Sequence, residues 1–246
     1  MRHAARLAFF LVLLTSASRA DAATLSGVIK AGSGIEPLAP LPVAVDDWTC
    51  GEGGFTPDPR LVLGAERGLA DVVVTVLDFE PPVVEDAEAL EQVVLDQRDC
   101  VFTPHVVVVQ PGQELLVRNS DSVLHTFRTI TKHNRVFNRA QVKGKEDVFK
   151  FTKPETIRVE CDVHYWMGAR VVVAPHAFVA VTDAGGAFKI GGLEPARYRL
   201  RLWQERLGEK TVTVDVGAEG GRVDVVWDAR TSAAAPDQRA GGDAAQ

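Results

Sequence analysis

The sequence has few of several residue types, and each shortage narrows what the chain can do. Its 246 residues include only two methionines, three cysteines and two tyrosines. Lysine and arginine form no run anywhere, and the formal net charge is −6. A protein surface that binds nucleic acid needs clustered positive charge to displace counterions. We therefore expect no nucleic-acid partner.

Long apolar runs are also missing. The apolar run at residues 7–14 is far shorter than the roughly 20 residues that a membrane-spanning helix needs. It follows Arg2 and Arg6 and precedes Ala20-Asp21-Ala22, an order typical of a secretory signal peptide. We predict that residues 1–23 are removed on export to the periplasm, with no stable membrane insertion afterwards. An N-terminal anchor is the alternative.

The opposite end of the chain is poor in apolar bulk. Residues 229–246 are rich in alanine, glycine and aspartate. Such a composition buries too little surface to offset the entropy of ordering. We predict a disordered tail there.

The odd number of cysteines matters because export places them in an oxidising compartment. At most two of the three can pair within one chain. Cys50 lies in a loop-like stretch, Cys100 opens a strand-like one, and Cys161 lies among metal-type side chains. The economical assignment is a Cys50–Cys100 disulfide that leaves Cys161 as a thiolate, although sequence does not fix connectivity.

Strand signals dominate the remaining chain. Short β-branched runs, such as those at residues 106–110 and 156–160, are bounded by Gly, Pro, Asn or Asp turns. Helical periodicity is weak outside the acidic stretch 84–95, which is either one short helix or a solvated loop. Several short strands at this spacing predict an all-β protein built from sandwiches.

Metal-type side chains concentrate between two predicted strands. Cys161, His164 and Met167 are spaced at i, i+3 and i+6, and a turn of that size brings three side chains toward one point. Thiolate, imidazole and thioether are the soft or borderline ligands that suit copper. His125, after an earlier strand, supplies a second imidazole. Zinc is the rival metal, but a thioether favours copper.

These segments resemble the cupredoxin family of plastocyanin and amicyanin. The likeness runs through Phe102-Thr103-Pro104, Pro111-Gly112-Gln113, Asn119-Ser120-Asp121 and the ligand-type residues above. The resemblance implies a Greek-key sandwich that holds one blue-copper ion. His125, Cys161 and His164 would be the equatorial ligands and Met167 the axial ligand. Tyr165 stands where such proteins often have proline, a departure that removes no ligand.

A second likeness flanks the first. Residues 25–29 and 68–76, with Thr182-Asp183-Ala184-Gly185-Gly186 and 193–200, resemble a small transthyretin-like, carboxypeptidase regulatory-like β-sandwich. The chain also resembles periplasmic methylamine-utilisation-like proteins, which combine the cupredoxin-type loop with a run like the one from Thr182 to Trp203. We therefore predict that residues 24–80 plus 176–228 form a split sandwich around a cupredoxin domain at residues 98–175. One enlarged cupredoxin sandwich is the alternative.

The leading functional hypothesis is one-electron transfer by copper, with a c-type cytochrome or a periplasmic dehydrogenase as redox partner. We expect the edge of His164 to lie near the surface as the exit for the electron. Copper storage or delivery, or a structural binding module, is the alternative. The sequence has neither the paired His-x-His runs of a multicopper oxidase nor a supported Ser/His/Asp order, so we expect no enzyme.

The residues around the ligand-type set have more ordinary expectations. Asp121 and Asn119 are expected to support the His125 loop by hydrogen bonds. His105 and His176 are expected to be structural residues, and His133 a solvated one.

Overall fold

A computed structural model describes residues 23–51, 53–77 and 90–228 of the chain. The predicted signal peptide, apart from Ala23, and the whole of the predicted tail lie outside these residues. So does the 84–89 part of the acidic stretch, whose last residues begin a strand at Val93. Within the described part of the chain, no helix is long and apolar enough to cross a bilayer.

Nineteen strands make up nearly all the regular structure among the described residues. The first eight in chain order are β1 (Ala23–Ala31), β2 (Leu41–Pro42), β3 (Phe55–Thr56), β4 (Val73–Val76), β5 (Val93–Arg98), β6 (Val101–Thr103), β7 (Val106–Val109) and β8 (Glu114–Asn119). The next six are β9 (His125–Ile130), β10 (Asn138–Gln141), β11 (Glu146–Lys150), β12 (Glu155–Glu160), β13 (Gly168–Val173) and β14 (Val179–Val181). The last five are β15 (Ala187–Leu193), β16 (Ala196–Gln204), β17 (Gly208–Val216), β18 (Gly221–Arg222) and β19 (Val225–Trp227). Helix α1 (Asp47–Cys50) and a 3-10 turn at Ala65–Arg67 complete the set. The predicted all-β fold class is confirmed.

One pair of sheets is formed by the two ends of the described chain. β1 lies between β15 and β18 and also pairs with β19, while a second sheet has the order β14-β4-β16-β17. Side chains of β1 alternate between buried and half-buried, because successive residues of a strand point to opposite faces. The buried ones, including Leu25 and Ile29, pack with Leu200 and Leu202 of β16 in one apolar core.

The middle of the chain forms another sandwich with its own core. A five-stranded sheet has the order β10-β9-β12-β13-β7, and a four-stranded sheet has the order β11-β8-β5-β6. Phe127 and Ile157 from the first sheet pack with Leu95, Leu115 and Phe149 from the second. The predicted division into a split sandwich and a cupredoxin domain stays a prediction.

A small hairpin joins the second core although it belongs to neither sandwich sheet. β2 and β3 pair only with each other and enclose helix α1. Val43 and Cys50 of this hairpin pack into the core of the second sandwich. Cys50 is joined to Cys100 by a disulfide, with 5.1 Å between their Cα atoms. The predicted pairing is confirmed, and Cys161 is the free cysteine of the described residues.

The Thr-Asp-x-x-Gly motif makes a tight turn before β15. The Asp183 carboxylate accepts hydrogen bonds from the backbone N–H groups of Gly185 and Ala187. Gly186 has a φ of +79°, and a Cβ there would lie 2.1 Å from the carbonyl oxygen of Ile29. Glycine is therefore required, because β1 approaches the turn too closely for a side chain.

The two sandwiches meet along an apolar and ionic junction. Val73 of β4 packs with Val106 and Val172 of the second sandwich. Beside them, His105 lies with its Nε2 2.8 Å from a carboxylate oxygen of Glu205, which also pairs with Arg170. His105 is thus a buried structural residue, as expected from the sequence.

The disulfide yields a stability prediction. It closes a sequence separation of 50 residues. Because cross-linking lowers the entropy of the unfolded chain, replacing Cys50 and Cys100 together by alanine should lower the free energy of unfolding by about 4 kcal/mol. Urea denaturation measures the change, and reduction of the wild-type protein should reproduce it. A loss below about 1 kcal/mol would contradict the prediction.

Candidate metal centre

Strand pairing brings the predicted ligands to one end of the second sandwich. His125 is the first residue of β9, and Cys161 directly follows the last residue of β12. The two strands run antiparallel, with Arg128 opposite Glu160. The start of one strand therefore lies beside the end of the other, and the backbone N–H of Asp162 donates to the hydroxyl of Thr126 across the gap.

The loop between β12 and β13 is closed by its own hydrogen bonds. The backbone N–H of Met167 donates to the carbonyl of His164, and that of Cys161 donates to the carbonyl of Met167. The sulfur of Cys161 accepts from the backbone N–H groups of Thr126 at 3.3 Å and His164 at 3.4 Å. These donors favour a charged sulfur.

Three of the four predicted ligands converge. The ligand atoms of His125, Cys161 and His164 all lie within 4.8 Å of one another. The two Nδ1 atoms are 2.8 Å apart, and the Cys161 sulfur is 3.7 Å from the His164 Nδ1. Both imidazoles are 0% exposed and Cys161 is 4% exposed. The donors therefore form a dry, compact set.

Each imidazole is held from behind by a carboxylate. The Nε2 of His125 lies 2.8 Å from Asp121, and the Nε2 of His164 lies 3.0 Å from Asp46. Because a carboxylate accepts hydrogen bonds, each Nε2 carries the proton and each neutral ring has a bare lone pair at Nδ1. Two lone pairs facing each other at 2.8 Å need a cation between them. A shared proton or a metal ion meets that need.

The electrostatics of the site favour an ionised thiol. Burial opposes ionisation of Cys161, but the adjoining rings of His125 and His164 and the backbone N–H of Thr126 outweigh it and lower the thiol pKa from 9.0 to about 5. Burial likewise disfavours a charged His125, yet Asp121 and Cys161 raise its pKa from 6.5 to about 8. The pKa of Asp121 is lowered because hydrogen bonds from His125 and two backbone N–H groups exceed the cost of its burial.

Met167 lies in the same apolar core as Cys161 and is 1% exposed. Its place in the loop is set by the backbone bonds described above. Ligation by its thioether stays a prediction.

A second group of potential ligands adjoins the first. Cys100, Asp121 and His125 also have ligand atoms within 4.8 Å of one another. The sulfur of Cys100 is bonded to Cys50, so it offers no thiolate. This group therefore supports the main site rather than forming another.

The support around His125 is more extensive than the sequence indicated. The Asp121 carboxylate accepts hydrogen bonds from the backbone N–H groups of Asp99 and Cys100 and also contacts the His125 ring. Asn119 accepts from the backbone N–H of Asp121 and donates to the carbonyls of Val123 and Gln141. The predicted roles of Asp121 and Asn119 are confirmed, and Asp121 additionally orients the ring itself.

One expectation about the site is wrong. His164 was expected to present an edge near the surface, but it is 0% exposed. The β2–β3 hairpin covers it: Asp46 contacts its Nε2, and the sulfur of Cys50 lies 3.8 Å from the same atom. Sequence reasoning missed Asp46, which lies 118 residues before His164 and belongs to no motif.

Two further histidines of the described residues lie apart from this set. His176 is buried, with Nε2 3.0 Å from the carbonyl of Val76, and His133 is exposed. Both agree with their expected structural and solvated roles.

The donor set fits one soft or borderline cation. A cysteine sulfur and two imidazoles meet in a buried space, and no cysteine beyond Cys161 is available as a thiolate among the described residues. This set serves copper or zinc and not the oxygen-seeking Mg²⁺ or Ca²⁺.

Comparisons with known proteins give only partial likenesses. No family model and no curated protein matches the chain. A copper-containing nitrite reductase from Thermus scotoductus SA-01 is 23% identical over 39% of this chain and 25% of its own, with a TM-score of 0.33. A purple cupredoxin from Nitrosopumilus maritimus is 20% identical over 35% of this chain and 100% of its own, with a TM-score of 0.30. A reduced Cu(I) form of an amicyanin mutant is 18% identical over 41% and 98%, with a TM-score of 0.32. Scores at this level do not assign the chain to a family.

The lowered thiol pKa makes a testable prediction for metal-free protein. With a pKa of about 5, Cys161 is a thiolate at neutral pH and becomes protonated as the pH falls through that value. Ultraviolet thiolate absorption should therefore persist at neutral pH and disappear on acidification, with a midpoint near pH 5. Cys161→Ser should lack the transition. A midpoint near the ordinary value of 9.0 would contradict the geometry described here.

Proposed function

We propose that the chain binds one copper ion through His125, Cys161 and His164, with Met167 as a weak axial ligand, and serves as a one-electron carrier of the cupredoxin type. The observation that carries this proposal is the meeting of two Nδ1 atoms and one sulfur inside a dry core. Two imidazoles and one thiolate in a plane, with a distant thioether, is the donor set of blue-copper sites.

Copper is favoured over zinc by the fourth side chain. Zinc accepts cysteine and histidine readily, but a thioether selects copper. Met167 is buried in the loop between β12 and β13 that carries Cys161 and His164, which we call the ligand loop. Met1 is the only other methionine of the sequence.

The protein's contribution is to hold the donors in place. A bound copper ion would supply one-electron exchange between Cu(II) and Cu(I). Asp121 fixes the tautomer and direction of His125, and the backbone N–H groups of Thr126 and His164 hold the Cys161 sulfur. Because strands β9 and β12 anchor these groups, the donors need to move little when the charge at the centre changes.

The proposed compartment is the periplasm. The Cys50–Cys100 disulfide supports an oxidising location, and the N-terminal signal pattern supports export. A c-type cytochrome or a periplasmic dehydrogenase is the proposed redox partner. Nothing in the described site resembles an enzyme's paired metal cluster, and we propose no catalytic activity.

Copper titration of the exported protein tests the metal assignment. We expect one copper ion per chain and an intense visible absorption from charge transfer between the thiolate and Cu(II). Cys161→Ser should abolish that absorption, since the hydroxyl is not a comparable donor. His133→Ala is the matched control, because that histidine is exposed and outside the site. Survival of the absorption in the Cys161→Ser variant would falsify the proposal.

Copper storage or delivery is a second candidate that one observation favours. Both imidazoles are completely buried, so neither ligand ring offers an exposed edge for electron exit. A storage protein needs a closed site more than it needs an exit.

Electrochemistry separates the two candidates. A carrier should give a reversible one-electron wave and exchange electrons with a reduced c-type cytochrome within the mixing time. A storage protein should retain copper firmly while showing slow or no exchange. Slow exchange together with tight binding would reject the carrier role and leave the metal site standing.

A further inference from the structure

The hairpin that covers His164 is the strongest feature that the proposed function leaves unused. It comprises residues 41–51 and 53–56, and we call it the cap. Its two ends pair as β2 and β3, and the backbone N–H of Val43 donates to the carbonyl of Gly54. Backbone hydrogen bonds therefore hold the two ends of the cap together.

Three contacts hold the cap against the metal centre. The disulfide ties Cys50 to Cys100, the hydroxyl of Tyr165 donates to the carbonyl of Pro42, and Asp46 meets the Nε2 of His164. Two of these contacts reach the ligand loop itself. The outer side of the cap carries Trp48, which is 77% exposed.

The disulfide that anchors the cap also adjoins the residues that position His125. The backbone N–H of Cys100 donates to Asp121, whose carboxylate orients His125. The indole N–H of Trp166, in the ligand loop, donates to the carbonyl of Cys100. The disulfide therefore links the cap to the same network that positions both rings.

The carboxylate of Asp46 can bind the imidazole because it does not cap its own helix. It occupies the N-cap position of α1 with φ 52° and makes no side-chain capping bond there. Its backbone carbonyl accepts from Thr49 and Cys50, which sets the turn, while its carboxylate points to His164.

We propose that the cap closes the metal centre and that Asp46 is the positioning residue for His164. The carboxylate accepts the Nε2–H, leaves Nδ1 bare toward the centre and adds negative charge behind the ring. Release of a bound cation on the His164 side then requires the cap to lift. The part of this inference that concerns copper rests on the proposed function, whereas the contact between Asp46 and the imidazole does not.

Metal-free protein provides the first test. Nitrogen-15 NMR of the histidine rings should show His164 as the Nε2–H tautomer with a slowly exchanging proton. Asp46→Ala should lose that slow exchange, and Asp46→Asn, which keeps an acceptor oxygen, should retain the tautomer. Asp47→Asn is the matched control, since Asp47 is exposed on the same helix. Exchange in wild-type protein as fast as that of His133 would overturn the cap.

Copper-loaded protein provides the second test. Asp46→Ala should weaken copper binding about 10–100-fold, as loss of a carboxylate behind a ligand histidine commonly does. Asp46→Asn should raise the reduction potential, because the lost negative charge had favoured Cu(II) over Cu(I). Asp47→Asn should leave both quantities at the wild-type value. Equal effects of the Asp46 and Asp47 variants would reject a positioning role.

Removing the anchor tests closure directly. The double replacement of Cys50 and Cys100 by alanine should speed copper transfer to a small chelator at least about tenfold, by the same loosening of support around the ligand. Tyr165→Phe, which removes only the bond to Pro42, should act in the same direction if the double variant does not fold. Unchanged transfer in a folded variant would overturn closure. Failure of wild-type protein to bind copper, with the slow His164 proton intact, would reject the proposed function and keep the contact.

Discussion

The geometry of the site depends on hydrogen bonds between two carboxylates and two buried imidazoles. Asp121 and Asp46 come from different segments of the chain and accept hydrogen bonds from the Nε2–H groups of His125 and His164. The bare Nδ1 atoms are thereby forced to face each other beside the Cys161 sulfur. The apolar core around these Nδ1 atoms and the Cys161 sulfur leaves no room for water to hydrogen-bond with them. A proton or a metal ion between the donor atoms is therefore needed to stabilise them.

The residues that the sequence makes easy to find are those with local patterns. Alternating burial in β1 and β8 follows from the period of a strand, and the spacing of Cys161 and His164 follows from a single turn. The Cys50–Cys100 pairing could be predicted because the sequence has only three cysteines. All-β architecture and the convergence of three donors were therefore predictable.

The cap was not predictable for a physical reason. Asp46 lies 118 residues from His164 in the sequence. No sequence pattern links a single carboxylate in an acidic loop to an imidazole that far away. The prediction that an edge of His164 is exposed assumed that no other segment covers this end of the sandwich. A long-range contact, fixed by a disulfide and one tyrosine hydroxyl, changed the solvent access of the site without changing its donors.

The junction between the sandwiches bears on how the two halves depend on each other. The Nδ1 of His105 lies 2.9 Å from the carbonyl of Gly168, the residue that follows Met167, and its Nε2 lies 2.8 Å from Glu205 of the other sandwich. Separating the sandwich that carries Cys161 from the other would deprive this histidine and Arg170 of Glu205 and expose the valines beside them to water. The other sandwich therefore supports the strand that directly follows Met167, and the two sandwiches depend on each other for stability.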